Sequence, residues 1–249
     1  MQVSTASESY MSSPENHKTI APANHSAIQT QLLWNGFQDE VIESQRCFKK
    51  AMKAMSEPGY LVTLDPLKTS VNVSSATFSL ALTLIDQDIS VWVSPQLSSA
   101  TFIDNLRFYC GCRLTKSPLE ADFVFIQLSE WQDLENLKRG TEEYPDRFPT
   151  LIIEADGLAE KGDIKLSGPG INGSRSVDIV GINQHHIDLL KRNQQHFPMG
   201  YDFMFTCGNQ LMALPRTTEV VLSNRMDALS RPVDAEFNAD VVGGGLSCM

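Results

Sequence analysis

Between residues 74 and 128 the hydrophobic pattern changes period repeatedly, and that alternation constrains the fold of this chain more than any other feature. SSATFSLALTLI, from Ser74, offers serine caps followed by apolar residues nearly all round, the pattern of a buried helix. The Asp86-Gln87-Asp88 turn leads into ISVWVS, which reads as a strand. A second serine-capped helix is predicted over about Ser98 to Tyr109, with Phe102, Leu106 and Tyr109 in register, and ADFVFIQL reads as another buried strand. Strands separated by helices pair in parallel. Further along, hairpin patterns take over. LIIEADGL and DIKLSGPG are predicted to pair through a turn at Ala159-Glu160-Lys161-Gly162, and Tyr201 to Thr206 returns as Gln210 to Leu214 across Gly208-Asn209. Hairpins add antiparallel neighbours, so the expected fold is a single α/β domain with a mixed sheet flanked by helices.

Other elements fill in around this frame. In DEVIESQRCFKKAMKAM, Val41, Phe48, Met52 and Met55 share one face at helical spacing and are predicted to face the core, with Pro58-Gly59 ending the helix. A short helix is predicted around Glu130 to Leu137, followed by the loop RGTEEYPDRFP, and a last helix at about Gln184 to Gln195. Residues 1–28 are rich in Ser, Thr, Asn, Pro and Glu and read as a disordered tail. The folded domain is expected over 29–222, and 223–249 as a second tail, disordered or docking.

Composition narrows the function. A formal net charge of −10 and a pI near 4.9 argue against a general nucleic-acid binder, which needs a basic face, but leave room for a local Arg and Lys cluster that holds a phosphorylated small molecule. Five cysteines without a CxxC pair give no zinc-knuckle spacing, so no metal site is expected, and such usage fits a reducing cytoplasm. The N-terminal sequence lacks the basic and apolar regions of a secretory signal, and no window approaches the ~20 apolar residues of a membrane span.

Several clusters invite a chemical role, each beside a plainer one. GPGING, Gly168 to Gly173, matches the letters of a dinucleotide fingerprint, but the SRSVDIV that follows is β-like, so a hairpin exit is the better account. His185 and His186 point to different helix faces, which suits surface or packing roles, and Cys207 reads as a small buried residue. Lys53, Ser56 and Glu57 stand where a helix stops, as turn chemistry or as the lining of a pocket. Arg107 lies off the Phe102/Leu106 stripe, as a solvated cation or as a contact for an anion or a subunit. Arg216-Thr217-Thr218 follows Pro215 at a strand exit. A planar fork of donors beside two hydroxyls suits phosphate oxygens, but equally a strand end with Arg216 paired to Asp202 or Glu219.

KAMSEPG, LTLIDQDISVWVS, LRFYCGCRL, RGTEEYPDRFPTLII, LSGPGI and FPMGYDFMFTCGNQLMALPRTTEV, in that order over about residues 31 to 222, together resemble the PhnH family of bacterial phosphonate metabolism. MSEPG and TCG…PRTT are the most specific of these. The resemblance implies a fold like that of pyridoxal-phosphate transferases without that cofactor. It also implies membership of the carbon–phosphorus lyase complex with other Phn subunits, and a homodimer when isolated. That complex joins methylphosphonate to the ribose of ATP, releasing adenine and giving α-D-ribose 1-methylphosphonate 5-triphosphate. A catalytically inert scaffold of the same complex is the alternative. The resemblance transfers no catalytic residue. On chemical grounds Arg216, Thr217, Asp202, Arg107, Lys53 and Glu57 are the candidates for substrate contact, with the cations meeting phosphonate or triphosphate and a carboxylate steadying the anomeric carbon.

Overall fold

A computed structural model describes residues 33–223 except 134, 136, 139, 145 and 146. The chain divides into Met1–Leu33, of which only Leu33 is described, and a compact unit from Trp34 onward. The tails expected at 1–28 and 223–249 therefore lie outside the described residues, apart from Ser223.

The elements are α1 (Glu40–Ser56), β1 (Val62–Thr63), α2 (Ser75–Leu84), β2 (Ser90–Val93), α3 (Ala100–Asn105), β3 (Arg113–Leu114), β4 (Phe123–Gln127), β5 (Thr150–Glu154), β6 (Gly157–Ser167), β7 (Arg175–Val180), α4 (Gln184–Gln195), β8 (Asp202–Cys207), β9 (Gln210–Leu214) and β10 (Glu219–Leu222). A seven-stranded sheet has the order β1-β9-β8-β5-β4-β2-β3, and a three-stranded sheet the order β10-β6-β7. In the large sheet β3, β2, β4, β5 and β8 are mutually parallel, and β9 runs against both β8 and β1. The mixed α/β sheet read from the hydrophobic periods is therefore present.

Alternation along the central strands explains the layering. Phe125, Ile152, Met204, Leu211 and Ala213 face one core with Phe78, Leu80 and Phe102 of the helices. Val124, Ile126, Leu151, Ile153, Phe203, Phe205, Met212 and Leu214 face the other core, which the small sheet and α4 close with Leu166, Val177, Ile187 and Leu190. α2 is buried along most of its length and capped by the Ser74 hydroxyl, which accepts from Thr77 N–H at 3.1 Å. The helix predicted over Ser98 to Tyr109 begins as α3 and widens into a π-helical turn over Leu106–Cys110.

Three expectations need correction. The buried face of α1 consists of Cys47, Ala51 and Ala54, while Val41 (78% exposed), Phe48 and Met52 lie in solvent and Met55 is half-buried. Small side chains let α1 lie close against its neighbours, and the bulky stripe points aside. Where a helix was predicted near Glu130 to Leu137, the chain makes a short 3-10 turn at Leu128–Glu130, and the described residues after it are irregular. LIIE and DIKLS do not pair with each other. LIIE is β5 of the large sheet, and GLAEKGDIKLS is one strand, β6, whose register against β7 shifts between Ala159 and Ile164. The four extra residues of β6, 160–163, thus fall where the turn was expected. The true hairpin is β6–β7, turned by GPGINGS, with Gly168, Gly170 and Gly173 all at positive φ, as the hairpin account of GPGING required.

Candidate functional site

The C-terminal ends of β4, β5 and β8 lie side by side, with Gln127 opposite Glu154 and Glu154 opposite Thr206. Open α/β sheets hold their ligands at this edge. A cleft of about 410 Å³ opens there, lined by Asn72, Ser74, Gln127, Glu154, Asp156 and Cys207 among others. Glu154 ends an apolar strand and is only 6% exposed. Its Oε1 accepts from Ser74 N–H at 2.6 Å, at the entrance to α2. Thr77 Oγ1 lies 2.7 Å from Thr206 Oγ1, and the Thr206 hydroxyl donates to the Ile153 carbonyl at 3.3 Å, so a fully buried hydroxyl chain ties α2 to β8 and β5.

Burial pushes the Glu154 carboxyl above the ordinary range, against hydrogen bonds from Thr77 and Ser74 that pull it back. Such a group can hold or release a proton nearer neutrality than an exposed carboxyl. The α2 N-terminus is meanwhile occupied: Ser74 N–H serves Glu154, Ala76 N–H donates to the Gly208 carbonyl at 2.9 Å, and Thr77 N–H meets the Ser74 hydroxyl. Those groups would otherwise make an anion site. With the chain's own carboxylate already seated there, and Asp156 beside it, this edge suits hydroxyl- or amine-bearing ligands better than a phosphate. Cys207 is half-buried and lines the cleft, not buried as expected, but burial, Glu154 and Asp156 push its thiol up, which makes it a poor nucleophile. His186 is buried, accepts from Asn183 N–H at Nδ1 and reaches the Trp131 carbonyl through Nε2, again a packing role.

The six residues proposed from sequence for substrate contact fall in three places, and none of them lines this cleft. Asp202 and Arg216 meet at the opposite, N-terminal edge of β8. Arg216 Nη2 stands 2.7 Å from Asp202 Oδ2, its Nε donates to Oδ1 at 3.3 Å, and its backbone N–H donates to Oδ1 at 2.9 Å. The side chains of Arg216 and Asp202 are 18% and 20% exposed. Of the two readings of Arg216, this geometry realises the paired strand end. Thr217 is half-buried beside it, and Thr218 is buried. Lys53 and Glu57 pair at 2.7 Å on the surface, with Lys53 Nζ 4.8 Å from the centre of the Tyr60 ring. Arg107 sits alone on the π-turn, 3.6 Å from Asp104.

What the structure does bring together is a set of turns. Arg175 at the start of β7 donates to the carbonyls of Glu57 and Pro58, at 3.0 and 2.8 Å. Gly170, at φ +82°, packs so tightly on MSEPG that a Cβ would stand 2.2 Å from the Ser56 carbonyl oxygen. Gly168 lies against the backbone of Thr217 and Thr218. MSEPG, LSGPG and PRTT, distant in sequence, therefore form one corner in which backbone is packed on backbone. Glu154 and Gln127 were missed from sequence. The available signal was a carboxylate closing an otherwise apolar strand, a residue type rarely buried without a purpose.

An α/β unit with a mixed seven-stranded sheet, a covering small sheet and this corner of interlocked turns defines the class. The family described as bacterial phosphonate metabolism protein (PhnH) matches residues 35–221, and the chain belongs to that family. It is 31% identical over 194 residues to the PhnH subunit of α-D-ribose 1-methylphosphonate 5-triphosphate synthase of Rhizobium meliloti (strain 1021), covering 77% of this chain and 97% of that one. It is 29% identical over 179 residues to HtxG of Stutzerimonas stutzeri, provisionally named a C-P lyase subunit protein, covering 72% of this chain and 86% of that one.

Proposed function

We propose that this chain is a subunit of the carbon–phosphorus lyase system in phosphonate catabolism. Its task is the step in which ATP and methylphosphonate give α-D-ribose 1-methylphosphonate 5-triphosphate with release of adenine. One observation carries this: the likeness to the Rhizobium subunit spans 97% of that protein, so the whole working unit is shared. On this proposal the chain works in the cytoplasm beside other Phn subunits, and as a homodimer when isolated. The parallel strands followed by the reversed β9 support kinship with the pyridoxal-phosphate transferase-like fold. On this reading the chain uses no pyridoxal phosphate, in keeping with the lack of a lysine among the described residues that line the C-terminal-edge cleft.

The triphosphate is held largely by partner subunits. Arg216, Lys53 and Arg107 each already face a carboxylate of their own, and the α2 N-terminus is filled by Glu154. The same pairing favours the second reading, an inert scaffold whose role is to assemble the complex. Growth separates the two. A strain lacking its own PhnH-type subunit should regain growth on methylphosphonate when given this chain, and no growth would sink the proposal. Glu154→Gln and Asp156→Asn should block that growth if the cleft takes part in the reaction, and leave it intact if the chain is a scaffold.

A further inference from the structure

GPGING turns β6 into β7, and its last two residues, Asn172 and Gly173, carry a chemistry that the fold leaves open. We propose that Asn172 is a modification site, converted to aspartate and isoaspartate through attack of the Gly173 backbone nitrogen on its side-chain amide. The inference stands apart from the reaction proposed above.

The step consumes only water. The Gly173 nitrogen bonds to Asn172 Cγ as the Cγ–Nδ2 bond breaks. The proton lost by that nitrogen passes through solvent to the leaving ammonia, and a cyclic imide closes. Water then opens the ring at one of its two carbonyls. Opening at Cγ gives aspartate. Opening at the main-chain carbonyl gives isoaspartate, with the chain now running through the side-chain carbons. Glycine after asparagine permits this closure most freely, because it has no Cβ in the way.

Asn–Gly occurs twice in the chain, and the fold treats the two pairs differently. Asn35 and Asn172 are both exposed, so water reaches each. At the first pair the nitrogen that would attack is held. Gly36 N–H donates to Tyr109 Oη at 3.2 Å, and a Cβ on Gly36 would stand 2.8 Å from the Tyr109 ring. The Tyr109 hydroxyl donates to the Trp34 carbonyl at 2.7 Å, and Trp34 N–H donates to Asn105 Oδ1 at 2.9 Å. Backbone on both sides of Asn35 is therefore clamped, and ring closure there has to break the clamp. Gly173, at φ +72°, has nothing within 4 Å of where a Cβ would stand, and Asn172, Gly173 and Ser174 are all exposed. The consequence falls on the corner of interlocked turns. Gly170 is packed on the Ser56 carbonyl, and Arg175 holds the carbonyls of Glu57 and Pro58. Isoaspartate lengthens the main-chain path between these two anchors and puts a carboxylate where a neutral amide stood. The β6–β7 turn then no longer fits both anchors at once, and the corner loosens as the chain ages.

Peptide mapping by mass spectrometry on the full chain, aged in warm, mildly alkaline buffer, tests this. Amide loss at Asn172 should exceed that at Asn35 severalfold. A protein-isoaspartate methyltransferase supplied with S-adenosylmethionine should label the peptide that holds residue 172. In denaturant the two sites should react at similar rates, since the fold makes the difference. The aged chain should melt lower than the fresh one. Asn172→Gln, an exposed replacement whose longer side chain closes an imide far more slowly, should keep its melting temperature through the same ageing. No amide loss at Asn172, loss at Asn35 as fast in the folded chain, or absence of the isoaspartate label would overturn the proposal. So would a difference between the sites that persists in denaturant, or an Asn172→Gln chain whose melting temperature falls on ageing as far as that of the unaltered one.

Discussion

Arg216 and Lys53 are both cations beside a carboxylate, yet their surroundings make them different residues. Arg216 and Asp202 share several hydrogen bonds and are mostly shielded from solvent. Arg216→Ala should lower stability by about 1–3 kcal/mol, because Asp202 would keep its charge in a half-dry place without its partner. A double-mutant cycle with Asp202→Asn should return a coupling well above the error of chemical denaturation. Lys53→Ala should produce no measurable change in the same experiment, since that pair is exposed and screened. The sequence offered the Arg216–Asp202 pair as one of two readings, because the strand exit at Pro215 was visible in it. Nothing in the linear order of residues shows that Asp202 and Arg216 begin and end the two arms of one hairpin in register, with Phe203 opposite Leu214 between them.

At the level of elements, serine caps and the Gly208-Asn209 turn were the most legible. Ser74 caps α2 and Gly208-Asn209 turns β8 into β9, each where local chemistry placed them. Ser74→Ala should cost about 1 kcal/mol in thermal or chemical denaturation through the lost cap. Gly170→Ala should cost about 3 kcal/mol or more, since both its positive φ and the Ser56 carbonyl forbid a side chain. The face of α1 was not legible. Periodicity marks where bulky apolar residues cluster, but burial is decided by which face fits its neighbour, and here the small face does. Ala51→Leu should therefore destabilise the fold by about 1–3 kcal/mol by overpacking, whereas Val41→Gln should stay within about 0.5 kcal/mol. The reverse result would restore the bulky stripe to the core.

For the molecule as a whole, the two sheet edges differ in chemistry, and Glu154 ties one of them to pH. Its carboxyl is raised in the folded chain by burial, so the folded state favours the protonated form. That contribution is complete below the unfolded-state value of about 4.3 and is lost as pH rises through the folded one. Glu154→Gln should thus raise the melting temperature at pH 7 and leave it nearly unchanged at pH 4, and equal shifts at both would refute the buried-carboxylate account. Local patterns in the chain were sufficient to determine its class, most of its helices and strands and its central hairpin. These depend on residues near one another, through hydrophobic period, caps and turn chemistry. Only the tertiary structure decided that β6, β7 and β10 leave the main sheet to form a second layer. It alone decided that MSEPG, LSGPG and PRTT interlock, and that Glu154 rather than any selected cation stands at the C-terminal edge of the parallel strands. Those facts depend on which distant backbones can approach and hydrogen-bond, and spacing along one strand carries no record of that.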